Sequence, residues 1–164
     1  MRKTVLRSLA AMLAASALPS MPVLAGAGSL ESEIELLRSD LKTGKVEVVK
    51  EALHLEGAKA DAFWPVYRKY QLDLDKIGDK RIALIKDYAA NFDSMTAEKA
   101  KTLVKQALDL QSQRTSLLKN YYGQFEKVLG SIEAAKLVQV EDLIMVLAAV
   151  QLAPDIPLIE KPAQ

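Results

Sequence analysis

Few side chains in this sequence are suited to metal or covalent chemistry. The chain has no cysteine and a single histidine, His54, whereas a metal site needs several convergent imidazole, thiolate or carboxylate ligands. Its serines lie in no nucleophile-elbow motif, and no glycine-rich phosphate loop is present. His54 lies near the end of the first predicted helix, where a cation suits the helix dipole. We therefore expect no metal, no cofactor and no enzymatic activity.

Paired carboxylates are the next candidates for chemistry. The pairs are Asp73 with Asp75 and Glu141 with Asp142. Residues one or two positions apart point to different sides of a helix, so the members of a pair cannot share acid–base work. We interpret both pairs as solvated faces.

Two arginines interrupt otherwise apolar helical stripes. Arg81 and Arg114 occupy positions where buried side chains are expected, and a buried arginine needs an acidic partner. Antiparallel helix packing would offer Asp109 to Arg81 and either Asp73 or Asp75 to Arg114. The alternative, which we favour, is that both arginines reach solvent at the edge of the stripe.

The stretch ADAFWPVYRKYQ, residues 60–71, contains the single tryptophan and four of the nine aromatic residues. Three of the four follow the spacing of a buried helical stripe. Trp64 lies off that stripe, and a partly exposed tryptophan is a suitable binding anchor. With Arg68 and Lys69 beside it, Trp64 forms the first candidate partner-binding site. The stripe residues are Phe63, Tyr67 and Tyr70.

Apolar residues recurring every three or four positions predict four helices. Between the second and third helices, Asp93 or Ser94 can cap the next helix, and Thr96 also resembles a helix start. If these two helices are antiparallel, facing residue numbers sum to about 188, so Phe63 faces Phe125. We predict an all-α, elongated four-helix protein built on a long antiparallel helical hairpin. The first and fourth helices span about 30–53 and 132–152. The buried stripes of the second and third run over 63–92 and 103–128, and the second helix begins either near Asp61 or at Glu56.

The end of the fourth helix, LIMVLAAVQLA, is apolar nearly all round. It is too short to span a bilayer, so we expect it to be buried on several sides, in the monomer or in an oligomer. Pro154 ends the helix, and 154–164 forms an extended tail. The second set of candidate partner-binding residues lies on this helix and comprises Leu143, Val146 and Val150.

Residues 1–27 show the three-part pattern of a secretory signal peptide. A basic start precedes an apolar stretch that ends in small residues, and cleavage fits after Ala25 or after Ala27. The alternative, a permanent membrane anchor, is disfavoured by Pro19 and Pro22 and by an apolar run barely long enough to span. Residues 28–153 are then the helical domain.

Removing this segment changes the net charge of the chain. It holds three of the 22 basic residues and none of the 21 acidic ones, so 19 basic residues remain against 21 acidic ones, a formal charge of −2. Such a domain has no bulk attraction to nucleic acid. Without cysteine it also needs no disulfide in an oxidising compartment.

An export signal, an all-helical body and helix starts of the LTxxQ kind resemble the periplasmic Spy/CpxP-like proteins. The corresponding stretches are LHLEGAKADAF at 53–63 and DSMTAEKAKTLV at 93–104. AFWPVYRKYQ together with LIKDYAANFDSMT is similar to a group of uncharacterised exported bacterial proteins with that architecture. The resemblance implies an elongated hairpin, often a dimer forming a concave cradle. It also implies a role as an ATP-independent chaperone, an envelope-stress modulator or a metal-linked stress protein, although the histidine-rich ligands of the last group are missing.

These features together predict a periplasmic helical binding protein, chaperone-like or envelope-stress related. It would bind protein clients or an envelope protein through an apolar and aromatic surface, with a homodimer as the oligomer that the resemblance suggests. The alternative is a non-catalytic interaction subunit of an envelope sensor, transport or secretion complex. We expect no nucleic-acid partner and no stable membrane span after signal cleavage.

Overall fold

The computed structural model describes residues 42–152 together with residues 39 and 158. This part of the chain contains no strand, and the prediction of an all-α, four-helix fold is confirmed. The predicted signal peptide, 1–27, lies outside the described residues, as does the predicted tail apart from the exposed Leu158. The elements are α1 (42–53), α2 (Gly57–Asn91), a 3-10 turn (Phe92–Ser94), α3 (Ala97–Leu129) and α4 (Ser131–Leu152).

α2 and α3 form the long antiparallel hairpin. They contain 35 and 33 residues, so each is about 50 Å long at a rise of ~1.5 Å per residue. At the open end, the rings of Phe63 and Phe125 lie 6.0 Å apart, which is the pair predicted to face each other. Near the turn, Lys99 Nζ lies 2.6 Å from Asp87 Oδ1. Contacts at both ends therefore confirm the antiparallel arrangement.

Capping and left-handed backbone set the connections between helices. The Thr96 hydroxyl accepts a hydrogen bond from the backbone N–H of Lys99 at 3.1 Å, so Thr96 caps α3. Gly130, with φ 87°, is the single residue between α3 and α4. This backbone conformation favours glycine because a Cβ atom there is strained. The chain can therefore reverse direction without a longer loop.

The hydrophobic core lies at the open end of the hairpin, where α1 and α4 pack against it. Phe63, Tyr67 and Tyr70 of α2 and Phe125 of α3 are fully buried, and their rings contact one another at centroid distances of 5.3–6.3 Å. We call this end the four-helix head. α1 and α4 contribute to it Val48, Val49, Ala52, Leu53, Ala134, Leu137 and Val140.

α1 runs antiparallel along α2, and α4 runs antiparallel along α3. Lys42 Nζ of α1 lies 2.6 Å from Asp75 Oδ2 of α2, and Arg114 of α3 lies 3.7 Å from Asp142 of α4. No Cα atom of α4 comes within 8 Å of one in α2, so these two helices are diagonal in the head. Beyond Asp142, α4 continues for about 15 Å towards the hairpin turn. Within 42–152, no helix combines the length and hydrophobicity that a membrane span requires.

Candidate functional site

A buried carboxylate lies at the centre of the four-helix head. The side chain of Glu141 is 1% exposed. The Tyr67 hydroxyl donates to Oε1 and the Tyr70 hydroxyl to Oε2, each at 2.9 Å. Lys45 Nζ forms an ion pair with Oε2 at 2.8 Å. These four residues, which we call the Glu141 cluster, tie α4 to both α1 and α2.

This burial shows that the interpretation of Glu141 as part of a solvated face is wrong. Leu137, Glu141 and Ile144 follow one another at intervals of four and three residues, so they share one face of α4. Leu137 is fully buried and Ile144 packs against the core. Asp142, on the next side of the helix, is 61% exposed. The helix face, not membership of an acidic pair, decides the environment of each carboxylate.

The two tyrosines of the Glu141 cluster stay protonated and can therefore donate to the carboxylate. Burial, and then the charge of Glu141 and its hydrogen bonds, raise the pKa of Tyr67 and Tyr70 far above the ordinary value for a phenol. Both hydroxyls therefore remain protonated donors at physiological pH. Lys45 Nζ also lies 5.4 Å from the centroid of the Tyr70 ring, within the range of a cation–π contact. These donors engage both oxygens of the carboxylate, and the cluster thereby positions α4 against α1 and α2.

Arg114 joins α3 to the same part of α4. Its side chain is only 16% exposed, so the prediction that it reaches solvent is wrong. Its NH2 group donates to the backbone carbonyl of Glu141 at 3.4 Å and lies 3.7 Å from Asp142 Oδ1. The predicted partners, Asp73 or Asp75, are also wrong, because α4 packs over α3 and brings closer acceptors to the guanidinium group.

Asp73 is bound by other donors than Arg114, and Arg81 lies at the surface. Asp73 accepts hydrogen bonds from Lys76 at 2.7 Å and from the Tyr121 hydroxyl at 2.8 Å. The hydrogen bond from Lys76 has the larger effect and that from Tyr121 the smaller, and both hold the pKa of Asp73 below its usual range. Arg81 is exposed, as predicted by the alternative in which it reaches solvent.

Trp64 and Arg68, two residues of the first predicted partner-binding site, line one groove between α1 and α2. The groove has a volume of about 490 Å³. Trp64 is half-buried, with its ring 5.0 Å from Phe63 and 5.9 Å from Tyr67, both in edge-on contacts. Lys69 is exposed but does not line the groove. The lining of this Trp64 groove comprises Lys42, Val46, Lys50, Trp64, Tyr67, Arg68, Gln71 and Leu72.

Leu143, Val146 and Val150, the second predicted set, lie on the outside of α4. Their exposed fractions are 38%, 58% and 65%. We call these three residues the α4 face. On the neighbouring side of the same helix, Ile144 and Leu147 pack against the core. Within the monomer this segment is therefore packed on its inner side only and its outer side is open, so burial on several sides in an oligomer stays a prediction.

The two predicted sets are not brought together. The Trp64 groove lies between α1 and α2, and the α4 face lies on the helix diagonal to α2. They therefore form separate surfaces of the head and its extension.

Comparison with protein-family models, with curated proteins and with solved structures finds no match to this chain. The resemblance to Spy/CpxP-like proteins therefore stays a prediction.

The Glu141 cluster was missed by sequence reasoning, although a signal for one of its members exists. The positions of Leu137, Glu141, Ile144 and then Leu147 form a stripe with helical spacing. A charged residue on such a stripe indicates a buried, partnered carboxylate. Lys45 lies on the face of α1 that also carries Val48 and Val49, but its contact with Glu141 depends on how α1 packs beside α4, which spacing along α1 does not define.

Proposed function

We propose that this chain is an exported, non-catalytic helical binding protein of the periplasm, chaperone-like or envelope-stress related, which holds protein clients through the α4 face. One observation carries the proposal. Three large apolar side chains are exposed in a row on α4, within a run of residues, 143–152, that contains no charge.

The arrangement of these side chains supports an interaction surface. Exposed apolar residues are common when they are scattered singly, whereas a contiguous apolar patch marks a site of protein or membrane interaction. Positions 143, 146 and 150 follow helical spacing and so form one stripe. Without charges in this run, a client segment would meet no ion that must be desolvated.

The neighbouring helix α3 also exposes apolar side chains at the level of the α4 face. Asp142 lies beside Arg114, and an equal rise per residue then places Val146 and Val150 at the levels of about residues 110 and 106 of α3. Val104 and Leu108 of α3, within one turn of those levels, are 51% and 61% exposed. Apolar side chains of two helices are therefore available at the same height along the hairpin.

The Glu141 cluster supports the proposal by holding α4 in place. Its hydrogen bonds and ion pair attach α4 to two other helices just before the α4 face begins. A client would then meet a surface that is already formed, which lowers the ordering cost of binding.

The N-terminal sequence supports the compartment. A basic start, an apolar stretch and small residues near position 25 are the features of a secretory signal. The absence of cysteine also means that the redox state of the envelope has no disulfide to change in this protein.

Aggregation of insulin reduced by dithiothreitol tests the proposal. The reductant releases an aggregating insulin chain but leaves this cysteine-free protein unchanged. The wild-type protein should suppress the light scattering of reduced insulin. The triple variant L143S/V146S/V150S should lose most of this effect, because it removes the exposed apolar area that holds the client.

Ile132→Ser is the matched control. Ile132 is 81% exposed, more than any other large apolar side chain described in α4, but it lies at the start of the helix and outside the α4 face. I132S should suppress scattering like the wild type, and circular dichroism should show that both variants keep their helices. No suppression by the wild type in molar excess, or equal loss in both variants, contradicts the proposal.

The small width of the α4 face favours a second candidate function. Three anchors along two helical turns suit docking of one helix into the groove of one partner, as an interaction subunit of an envelope complex does. Deleting 143–164 should then abolish co-purification with one stoichiometric envelope protein while the hairpin stays folded. Suppression of unrelated clients would favour the first candidate instead.

A further inference from the structure

The Trp64 groove combines an apolar base with a cationic rim. Val46 and Trp64 are half-buried in its walls, and Leu72 at one end is 60% exposed. Lys42, Lys50 and Arg68 also line it, and no acidic residue does. A mostly apolar concave surface with a few convergent charges is the general form of a binding site.

The three cations are available to an incoming ligand to different degrees. Lys42 pairs with Asp75 at 2.6 Å and Lys50 with Glu47 at 2.8 Å. In both pairs the lysine side chain is about half exposed, and ion pairs of this kind contribute little stability. Arg68 is exposed and has no carboxylate partner among the described residues. A ligand carboxylate can therefore pair with Arg68 at once and exchange with the others at little cost.

The length of the groove indicates the size of its occupant. Its lining spans eight residue steps on α1, from Lys42 to Lys50, and eight on α2, from Trp64 to Leu72. At ~1.5 Å per residue this is about 12 Å, or roughly two turns of a helix. Two turns present the anchors i, i+3, i+4 and i+7 with which an amphipathic helix binds a groove.

We propose that the Trp64 groove docks an acidic amphipathic helix of a partner protein, with apolar anchors against Trp64, Val46 and Leu72 and with flanking carboxylates on Arg68 and the two lysines. Tryptophan and arginine are the residue types most enriched among binding hot spots. This site is distinct from the α4 face, because it lies between α1 and α2, and α4 is diagonal to α2. The roles proposed for the Trp64 groove and for the α4 face can therefore be tested independently.

The emission of Trp64 reports binding at this groove directly, since it is the single tryptophan of the chain. The probe is a synthetic helix of leucine, alanine and glutamate without aromatic residues, with leucines at i, i+3, i+4 and i+7. Its titration into the full protein should change the Trp64 emission saturably. Arg68→Glu should weaken binding by at least about tenfold, equivalent to ~1.4 kcal/mol, because attraction becomes repulsion.

Lys69→Glu is the matched control, because Lys69 is the next residue, is also exposed and does not line the groove. It should leave the affinity within about twofold of the wild type. The α4-face triple variant should also bind the probe normally, which separates this site from the proposed function. Arg68→Gln, which should weaken binding less than Arg68→Glu, serves if the charge reversal disturbs folding.

Three kinds of outcome overturn the proposal: no binding, binding without charge selectivity, and binding of another class of ligand. The first is the absence of a saturable change in Trp64 emission with the acidic helix. The second is equal weakening by Arg68→Glu and Lys69→Glu, or equal binding of a probe with lysine in place of glutamate. The third is saturable binding of dodecanoate without binding of the acidic helix, which would assign the groove to a small anionic amphiphile.

Discussion

Replacing Glu141 with glutamine tests the buried cluster at its centre. Glutamine keeps the shape and one acceptor oxygen, but it loses the charge that pairs with Lys45 and presents N–H donors to a tyrosine hydroxyl that also donates. Removing one partner of a buried ion pair costs about 3–5 kcal/mol. The Lys45 side chain is 12% exposed, so its ammonium group can reach water. We therefore expect E141Q to lower the free energy of unfolding by the smaller value, about 3 kcal/mol.

Urea unfolding followed by Trp64 fluorescence measures this loss in the head, because Trp64 packs against Phe63 in the core. With an m value of about 2 kcal/mol per molar urea, the midpoint should fall by about 1.5 M. Asp142→Asn is the matched control. That neighbouring carboxylate is 61% exposed and pairs with Arg114 only at 3.7 Å, so its loss should cost less than about 1 kcal/mol. The reasoning is refuted if E141Q unfolds like the wild type, or if both variants lose the same stability.

Tyrosine ionisation and two glycine positions provide further predictions. The folded-state pKa values of Tyr67 and Tyr70 lie above the ordinary value of 10. Above about pH 10 the unfolded chain therefore loses phenol protons that the folded chain keeps. The free energy of unfolding then falls as the pH rises. We expect about 3 kcal/mol per pH unit from the two phenols, with a shallower slope for Y67F/Y70F in alkaline urea titrations. In thermal melts, Gly130→Ala should destabilise by about 1–2 kcal/mol because φ is 87° there. Gly123 lies inside α3, where an added Cβ atom would have no neighbour within 4 Å, so Gly123→Ala should stabilise by up to about 1 kcal/mol. If both glycine variants change stability in the same direction, the backbone roles given to the two glycines are contradicted.

The hairpin could be predicted from sequence because both of its stripes keep helical spacing over many turns. The contact between Phe63 and Phe125 follows from the length of two helices and the position of the turn between them. The contacts that α1 and α4 make with the hairpin cannot be derived from helix lengths and turn positions. Their placement depends on how two further helices pack on the hairpin, which spacing along one helix does not define.

Glu141 shows why a nearly continuous apolar helix is difficult to interpret. When most positions of α4 are apolar, no polar face indicates which side is buried, and a charged residue is readily assigned to solvent. The arginine at 114 gave a similar error, because the hairpin alone suggested partners on α2. Once α4 covers α3, the carbonyl of Glu141 and the carboxylate of Asp142 are closer.

The surroundings of the candidate partner-binding residues could be predicted only in part. Trp64 lay off the aromatic stripe, which correctly indicated a side chain that is not fully buried. Lys69 was grouped with it by adjacency, but helical geometry turns it away from the groove. The groove itself could not be foreseen, because its second wall, including Lys42 and Val46, comes from α1.

The most direct test of the proposed function is site-specific photocrosslinking to an unfolding client. A benzophenone amino acid at position 146, in the α4 face, should crosslink to insulin during its reduction, whereas the same group at position 132 of the same helix should not. Crosslinking at 132 but not at 146, or at neither position while the protein suppresses aggregation, would contradict the claim that the α4 face holds clients.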